Sequence, residues 1–207
     1  MLVRLLLLAA TFLCLASAGA HDAGRHAASS QAPARANGAP VERAARLFFS
    51  DRRLLTQDGR EVAFYSDVLK DRVVLLNVMF THCADACPTQ SAKVAAVAAL
   101  VGASDPTLRF VSISADPERD TPDALAAYAA NFRAGPNWTF LTGRKSDVDD
   151  VLRRLGRWAA DPASHSTLFL AGNAATGHWL RVHPDATPAY IAAQLRSLAA
   201  ESGLQPQ

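Results

Sequence analysis

The stretch Val73–Pro88, VVLLNVMFTHCADACP, decides the fold class of this chain. Its first part, Val73–Phe80, is an almost continuous apolar run, which is typical of a central strand covered on both faces. Thr81–Cys87 follows as a loop, and Pro88 suits the first turn of a helix that continues to Leu100. The stretch therefore predicts a buried strand that passes through a short loop into a helix.

On both sides of this stretch the chain alternates apolar strands with helices. Asp58-Gly59 is a hairpin turn signal, and Thr121 is suited to cap a helix that runs from Pro122 to Phe132. The other predicted elements are strands at Leu108–Ser114, Trp138–Leu141, Thr167–Leu170 and Trp179–Val182, an amphipathic helix on Val148, Val151, Leu152 and Leu155, and a final helix at Pro188–Ala199. This order predicts an α/β sandwich, a central sheet flanked by helices.

Composition limits the classes of function. The chain has 207 residues, of which 50% are hydrophobic and 19% charged, so it can form one globular domain with an ordinary core. Lys+Arg 21 against Asp+Glu 19 leaves a formal net charge of +2 without a basic stripe. The sequence therefore argues against a protein that binds nucleic acid.

The N-terminal part has the pattern of a targeting segment followed by a linker. In Met1–Ala20 a single charge, Arg4, precedes the apolar run Leu5–Ala16 and small residues, which is the layout of a secretory signal peptide. The run is shorter than the roughly 20 residues that a membrane span needs, so we predict cleavage, with an uncleaved membrane anchor as the alternative. His21–Pro40 is rich in Ala, Gly, Ser and Pro and is predicted to be a flexible linker before a folded domain at 41–207.

Cys83 and Cys87 lie four residues apart where the predicted strand gives way to the helix. Residues at i and i+4 of a helical turn share a face, so both sulfurs can converge, and a helix N-terminus favours thiolate over thiol. Three interpretations are open: a structural disulfide, a redox-active dithiol and a metal site. A disulfide here closes only a short loop and removes little entropy from the unfolded chain. The spacing by itself does not separate the other two interpretations.

A metal site needs a third ligand, for which His165 is predicted. It lies in the polar loop Ser164–Ser166, directly before a strand, at an edge that can face the C-terminal end of the first buried strand. Two thiolates and one imidazole are a soft, three-coordinate set that suits Cu(I), whereas structural zinc usually takes four protein ligands. The remaining histidines are His21 and His26 in the linker, His82, which would point away from Cys83, and His178 and His183 in the terminal hairpin.

Several motifs together resemble the Sco/SenC family of periplasmic and mitochondrial copper proteins. They are Asp58-Gly59, FTHCADACP at Phe80–Pro88, SISADPERDTP at Ser112–Pro122, WTFLTG at Trp138–Gly143 and the loop histidine. The resemblance implies a thioredoxin-like fold whose copper ligands are Cys83, Cys87 and His165. Two positions depart from the family pattern, Ala84 in place of proline and Ser164 in place of aspartate, and neither change removes a ligand.

The resemblance also implies a function and a compartment. The family role is delivery of copper to the dinuclear copper centre of cytochrome c oxidase, or reduction of the cysteines of that centre. We therefore expect a periplasmic metallochaperone that serves the copper-binding subunit of the oxidase or another periplasmic copper protein, without a stable membrane anchor if the signal is cleaved. The alternatives are a thiol-disulfide reductase in which Cys83 and Cys87 cycle and, for location, an inner-membrane anchor facing the periplasm. Asp116 and Arg119 are candidates for shaping the loop beside the site.

Overall fold

The computed structural model describes residues 38–102 and 107–201. The predicted signal peptide Met1–Ala20 and most of the predicted linker lie outside the described residues. Helix α1 spans Gly38–Phe49, so it includes the last residues of the predicted linker. The sequence did not indicate this helix because Gly38-Ala39-Pro40 continues the composition of the linker, whereas the helix is anchored by the buried ring of Phe49.

The predicted strands and helices are present with small shifts in their bounds. The most relevant shift is in the helix after the cysteine loop, α2 (Ala86–Val101), which begins at Ala86 rather than Pro88 and so includes Cys87. None of the helices in the described ranges is long and apolar enough to cross a membrane. The remaining strands and helices are β1 (Arg53–Thr56), β2 (Glu61–Ala63), β3 (Val73–Met79), α2 (Ala86–Val101), β4 (Leu108–Ser114), α3 (Pro122–Asn131), β5 (Trp138–Thr142), α4 (Lys145–Arg154), β6 (Phe169–Asn173), β7 (His178–Val182) and α5 (Pro188–Glu201), with a π-helical turn at Phe64–Leu69 and a 3₁₀ turn at Pro162–Ser164.

The strands form one mixed sheet in the order β2-β1-β5-β4-β3-β6-β7. Strands β3, β4 and β5 are parallel, and α2 and α3 provide the crossover connections. Strand β6 is antiparallel to β3, with Leu76 opposite Leu170. Because of this register, the segment before Phe169 passes the C-terminal end of β3, where the cysteine loop begins.

Alternate residues of β3 supply the two faces of the core. Val73 and Leu75 pack in the layer with α2, α3 and α5, whereas Val74 and Leu76 pack in the layer with α1 and α4. This alternation buries every side chain of β3 and confirms the prediction of a strand covered on both faces. Two helical layers with a sheet between them hold the C-terminal edge of β3 in a fixed place.

Candidate metal centre

The two cysteines meet at the N-terminus of α2 by a different route from the helical turn that was expected. Cys83 lies in the loop before the helix, and Asp85, at the N-cap position, makes no side-chain capping bond. The backbone N–H of Cys87 instead donates to Cys83 Sγ over 3.4 Å. The sulfur of Cys83 thus takes the place of a capping oxygen and satisfies one of the free amides of the first turn.

Both cysteines are free thiols, and their environments differ. Partial burial raises the pKa of Cys83, but hydrogen bonds from the Cys87 thiol and from the backbone amides of Asp85, Ala86 and Cys87 outweigh it, so this pKa is below its usual value. Cys87 is only 1% exposed. Burial first, and its hydrogen bond to Cys83 second, raise the pKa of Cys87 to about 12. Cys83 is therefore the thiol that ionises first.

His165 is brought to the cysteines from a distant part of the chain. Its Nε2 lies 3.8 Å from Cys87 Sγ although the residues are 78 positions apart. Its Nδ1 lies 3.1 Å from the carbonyl oxygen of Ser166 and must donate to it, which leaves the lone pair on Nε2. The ring is 9% exposed and meets Phe80 edge to face. Burial lowers the pKa of His165, more than the Ser166 carbonyl raises it, so the imidazole is neutral near pH 7.

In the described ranges, no hydrogen bond or ion pair joins another histidine to the cysteine pair. The side chain of His82 is 57% exposed, with Nδ1 3.0 Å from the hydroxyl of Thr81 and 4.0 Å from the carboxylate of Asp120. His178 pairs with Glu201 at 2.8 Å, and His183 lies 3.4 Å from Asp185, both at the surface of the β6–β7 hairpin. His21 and His26 lie outside the described residues. Among the described histidines, the geometry therefore singles out His165.

Cys87 is the middle member of the candidate donor set, in contact with Cys83 on one side and with His165 on the other. Within residues 38–102 and 107–201, no three His, Cys, Asp or Glu side chains are already gathered around one metal position. A metal ion would have to draw Cys83 and His165 closer together around Cys87. Thiolates and a neutral imidazole are soft donors, so this set fits Cu(I) better than a hard cation.

Comparison with known proteins identifies the family. The sequence profile described as SCO1/SenC matches residues 42–199, a span that contains both cysteines and His165. The chain belongs to the SCO1/SenC family. Among curated relatives, the SCO1 protein homolog of Bacillus subtilis is 36% identical over 96 residues, which are 45% of this chain and 49% of the relative. The aligned part thus spans about half the length of the curated relatives that the chain matches.

Solved structures of SCO1/SenC proteins have the same fold. The copper-bound structure of ScoI from Bradyrhizobium japonicum is similar with a TM-score of 0.60 and 26% identity, over 70% of this chain and 96% of that one. The structure of BsSco, in which a disulfide switch was identified, gives a TM-score of 0.59 and 26% identity over 72% of this chain and 91% of that one. The predicted thioredoxin-like α/β sandwich is therefore confirmed.

In this SCO1/SenC chain the cysteine loop is tied to the rest of the sheet by Asp120, a residue that sequence reasoning missed. The carboxylate is fully buried and accepts from the backbone N–H of Thr81 at 3.1 Å, from the Thr81 hydroxyl at 2.6 Å and from the Ser114 hydroxyl at 2.5 Å. The expected residues Asp116 and Arg119 pair with each other at 2.5 Å instead. A signal was available, because Asp120 follows β4, whose C-terminal end lies beside that of β3.

We expect Asp120→Ala to lower the free energy of unfolding by about 2–4 kcal/mol, because buried donors on Thr81 and Ser114 lose their acceptor. Urea unfolding of the reduced protein measures the change. Asp123→Ala removes an exposed carboxylate in the first turn of α3 and should cost no more than about 1 kcal/mol. Equal losses in the two variants would show that Asp120 does not anchor the loop.

A second polar contact that the sequence did not reveal lies beneath the cysteines. Ser91, on α2 one turn after Cys87, is hydrogen-bonded to the hydroxyl of Tyr128 on α3 over 3.0 Å, and both side chains are buried. Burial raises the pKa of Tyr128 to about 12, so its hydroxyl remains neutral. The contact between Ser91 and Tyr128 therefore adds no charge beside the buried thiol of Cys87.

Proposed function

We propose that this SCO1/SenC protein is a periplasmic metallochaperone that binds copper through Cys83, Cys87 and His165. It delivers the ion to the dinuclear copper centre of cytochrome c oxidase or to another periplasmic copper protein. The observation that carries the proposal is the contact of Cys87 with both Cys83 and His165 at one edge of the sheet. It is supported by the copper bound to ScoI of Bradyrhizobium japonicum and by BsSco, a member of the cytochrome c oxidase assembly proteins.

The proposed location depends on the N-terminal segment. A signal peptide over Met1–Ala20 would export the chain, and cleavage would release the domain into the periplasm, whereas an uncleaved segment would keep it anchored to the inner membrane. Fractionation of cells followed by N-terminal sequencing of the periplasmic protein tests this. A chain that begins at Met1 in the membrane fraction would favour the anchored form.

The three donors have different parts in holding and releasing the ion. Cys83 is the more accessible thiol and ionises first, so it is the donor through which copper enters and leaves. Cys87 gives up its proton when copper binds, since only the thiolate is a metal ligand. The Ser166 carbonyl holds the Nδ1–H of His165 and thereby keeps the Nε2 lone pair directed at Cys87. Copper transfer is then an exchange of ligands in which the acceptor first displaces Cys83.

Anaerobic titration of the reduced protein with Cu(I), in competition with a chelator of known affinity, tests the donor set. We expect His165→Ala to weaken copper binding at least about tenfold, because one of three donors is lost. The matched control is His82→Ala, which removes an exposed imidazole beside Cys83 and is expected to leave the affinity unchanged. A loss in His82→Ala with none in His165→Ala would assign the wrong imidazole to the site.

Transfer itself is tested by mixing the copper-loaded protein with a soluble fragment of the copper-binding oxidase subunit. Copper is expected to leave the chaperone for the fragment, and a fragment without its cysteines is expected to receive none. Retention of copper by the chaperone in both mixtures would contradict a delivery role.

The difference between the two thiols favours one second candidate, a thiol-disulfide reductase. The Cys83 thiolate would attack one sulfur of a partner disulfide and form a mixed disulfide, and the other partner sulfur would leave as a thiol. Cys87 would then lose its proton and attack Cys83, which frees the second partner thiol and leaves Cys83 and Cys87 oxidised. Two electrons pass to the partner. His165→Ala separates the functions, because it should impair copper transfer and spare disulfide reduction.

A further inference from the structure

Arg157, just beyond α4, is a buried cation that neither copper binding nor thiol chemistry uses. It is 4% exposed, and its backbone N–H donates to the carbonyl of Leu152 at 2.7 Å. Its Nη1 donates to the hydroxyl of Ser166 at 2.7 Å. Its Nε and Nη2 are buried and have no hydrogen-bond partner among residues 38–102 and 107–201. One edge of the guanidinium is therefore satisfied and the other is not.

The unsatisfied edge has a defined shape. In a guanidinium group, Nε–H and Nη2–H lie side by side and point in nearly the same direction. Such a pair fits two oxygens of one carboxylate or phosphate, and bidentate pairing of this kind is the characteristic contact of arginine with oxyanions. Two unpaired donors in this arrangement form half of a bidentate anion contact.

The charge around Arg157 is also unbalanced. In the described part of the chain the Arg157 guanidinium bonds to the Ser166 hydroxyl and to no carboxylate. A second cation, Arg181, lies opposite Leu170 on β7. Burial first, and the positive charge of Arg181 second, lower the pKa of Arg157. A buried charge without a counter-charge is unfavourable. An anionic ligand would supply the negative charge that Arg157 and Arg181 lack.

A groove of about 520 Å³ lies at the C-terminal end of α4, and Arg157 itself is not part of its lining. Its walls include Leu155, which precedes Arg157 by two residues, and Leu170, Trp179 and Arg181. Arg181 contributes a positive charge to the wall of the groove, whose volume suits a small ligand.

We propose that Arg157 is the anchor of a binding site for a small oxyanion, a carboxylate or phosphate group held by Nε–H and Nη2–H with Arg181 as the second positive charge. Arg157 donates to the hydroxyl of Ser166, and the carbonyl of Ser166 accepts from the ring of His165. The proposed site therefore lies behind the loop that carries His165. The proposed oxyanion site does not depend on copper binding by Cys83, Cys87 and His165.

Thermal unfolding of the reduced, metal-free protein tests the site, with sodium acetate or sodium phosphate replacing chloride at constant pH and ionic strength. For the unsubstituted protein we expect Tm to rise by about 3–6 °C when one of these anions is about tenfold above its Kd. Arg157→Met is expected to lose this rise. Arg153→Met, which removes an exposed cation of α4, is expected to keep it. The anion that acts assigns the ligand to carboxylates or to phosphates.

A direct readout guards against a general salt effect and against a variant that fails to fold. In ¹H–¹⁵N spectra, titration of the active anion should shift the Nε–H signal of Arg157 together with the backbone amide of Ser166. Arg157→Lys keeps the charge but lacks the paired donors, and its affinity for the anion should fall at least about tenfold. The proposal is overturned if neither anion moves the Nε–H signal, or if the rise in Tm is the same with and without Arg157.

Discussion

Cys87→Ser is expected to abolish Cu(I) binding, from about one ion per chain to none, while the domain remains folded. A serine hydroxyl is a poor ligand for a soft ion, so the variant loses one of the two sulfur donors. Cys87 also contacts both of the other proposed donors, Cys83 through its backbone N–H and His165 through its sulfur. The loss should therefore exceed the effect of His165→Ala.

Anaerobic titration with quantification of bound copper measures this effect, and far-UV circular dichroism confirms that the variant is folded. Ser91→Ala is a suitable control, because it removes a buried hydroxyl one turn further along α2 without touching a proposed donor. Copper binding by Cys87→Ser at full stoichiometry and affinity would show that the ion is held elsewhere in the chain.

Selective alkylation is the second large effect that we expect. At pH 8 the thiolate fraction of Cys87, whose pKa is about 12, is on the order of one in ten thousand. The pKa of Cys83 lies below its usual value of 9.0, so its thiolate fraction is at least roughly one in ten. These fractions favour the reaction of Cys83 by a factor of about 1,000. The more acidic thiolate is also the weaker nucleophile, which reduces this factor about 30-fold. Iodoacetamide should therefore modify Cys83 at least about 30-fold faster than Cys87, and the burial of Cys87 adds to the difference.

Mass spectrometry of peptides from the partly alkylated, reduced protein measures the two rates. Lowering the pH below the pKa of Cys83 is expected to slow its alkylation about tenfold per pH unit, because the thiolate fraction falls by that factor. The Cys83→Ser variant shows how slowly Cys87 reacts by itself. Equal rates for the two thiols, or faster reaction of Cys87, would contradict the assignment of Cys83 as the first thiol to react.

Elements with strong local signals were predictable from the sequence. The apolar run of β3, the Asp58-Gly59 turn and the Thr121 cap each depend on residues close together in the chain, and the structure contains all three. Helix α1 was not predicted, because its first residues continue the composition of the linker. Its last residue, Phe49, packs against Tyr65 and Trp179, which lie far away in the sequence. Local propensity thus indicated the order of the elements from β1 onward but not the helix that precedes β1.

For the site, the sequence by itself determined which residues are candidates for the donor set, because two thiols beside a helix start and a loop histidine are visible in the residues. Only the tertiary structure decided how they meet, since β6 must lie antiparallel beside β3 before His165 can reach Cys87. Burial depends on tertiary contacts and is not specified by any local pattern. It gives the two thiols different pKa values and encloses the Asp120 carboxylate that bonds to the cysteine loop. It also encloses Nε and Nη2 of Arg157, which have no partner among the described residues. These features depend on contacts between residues far apart in the chain, and sheet register rather than spacing sets them.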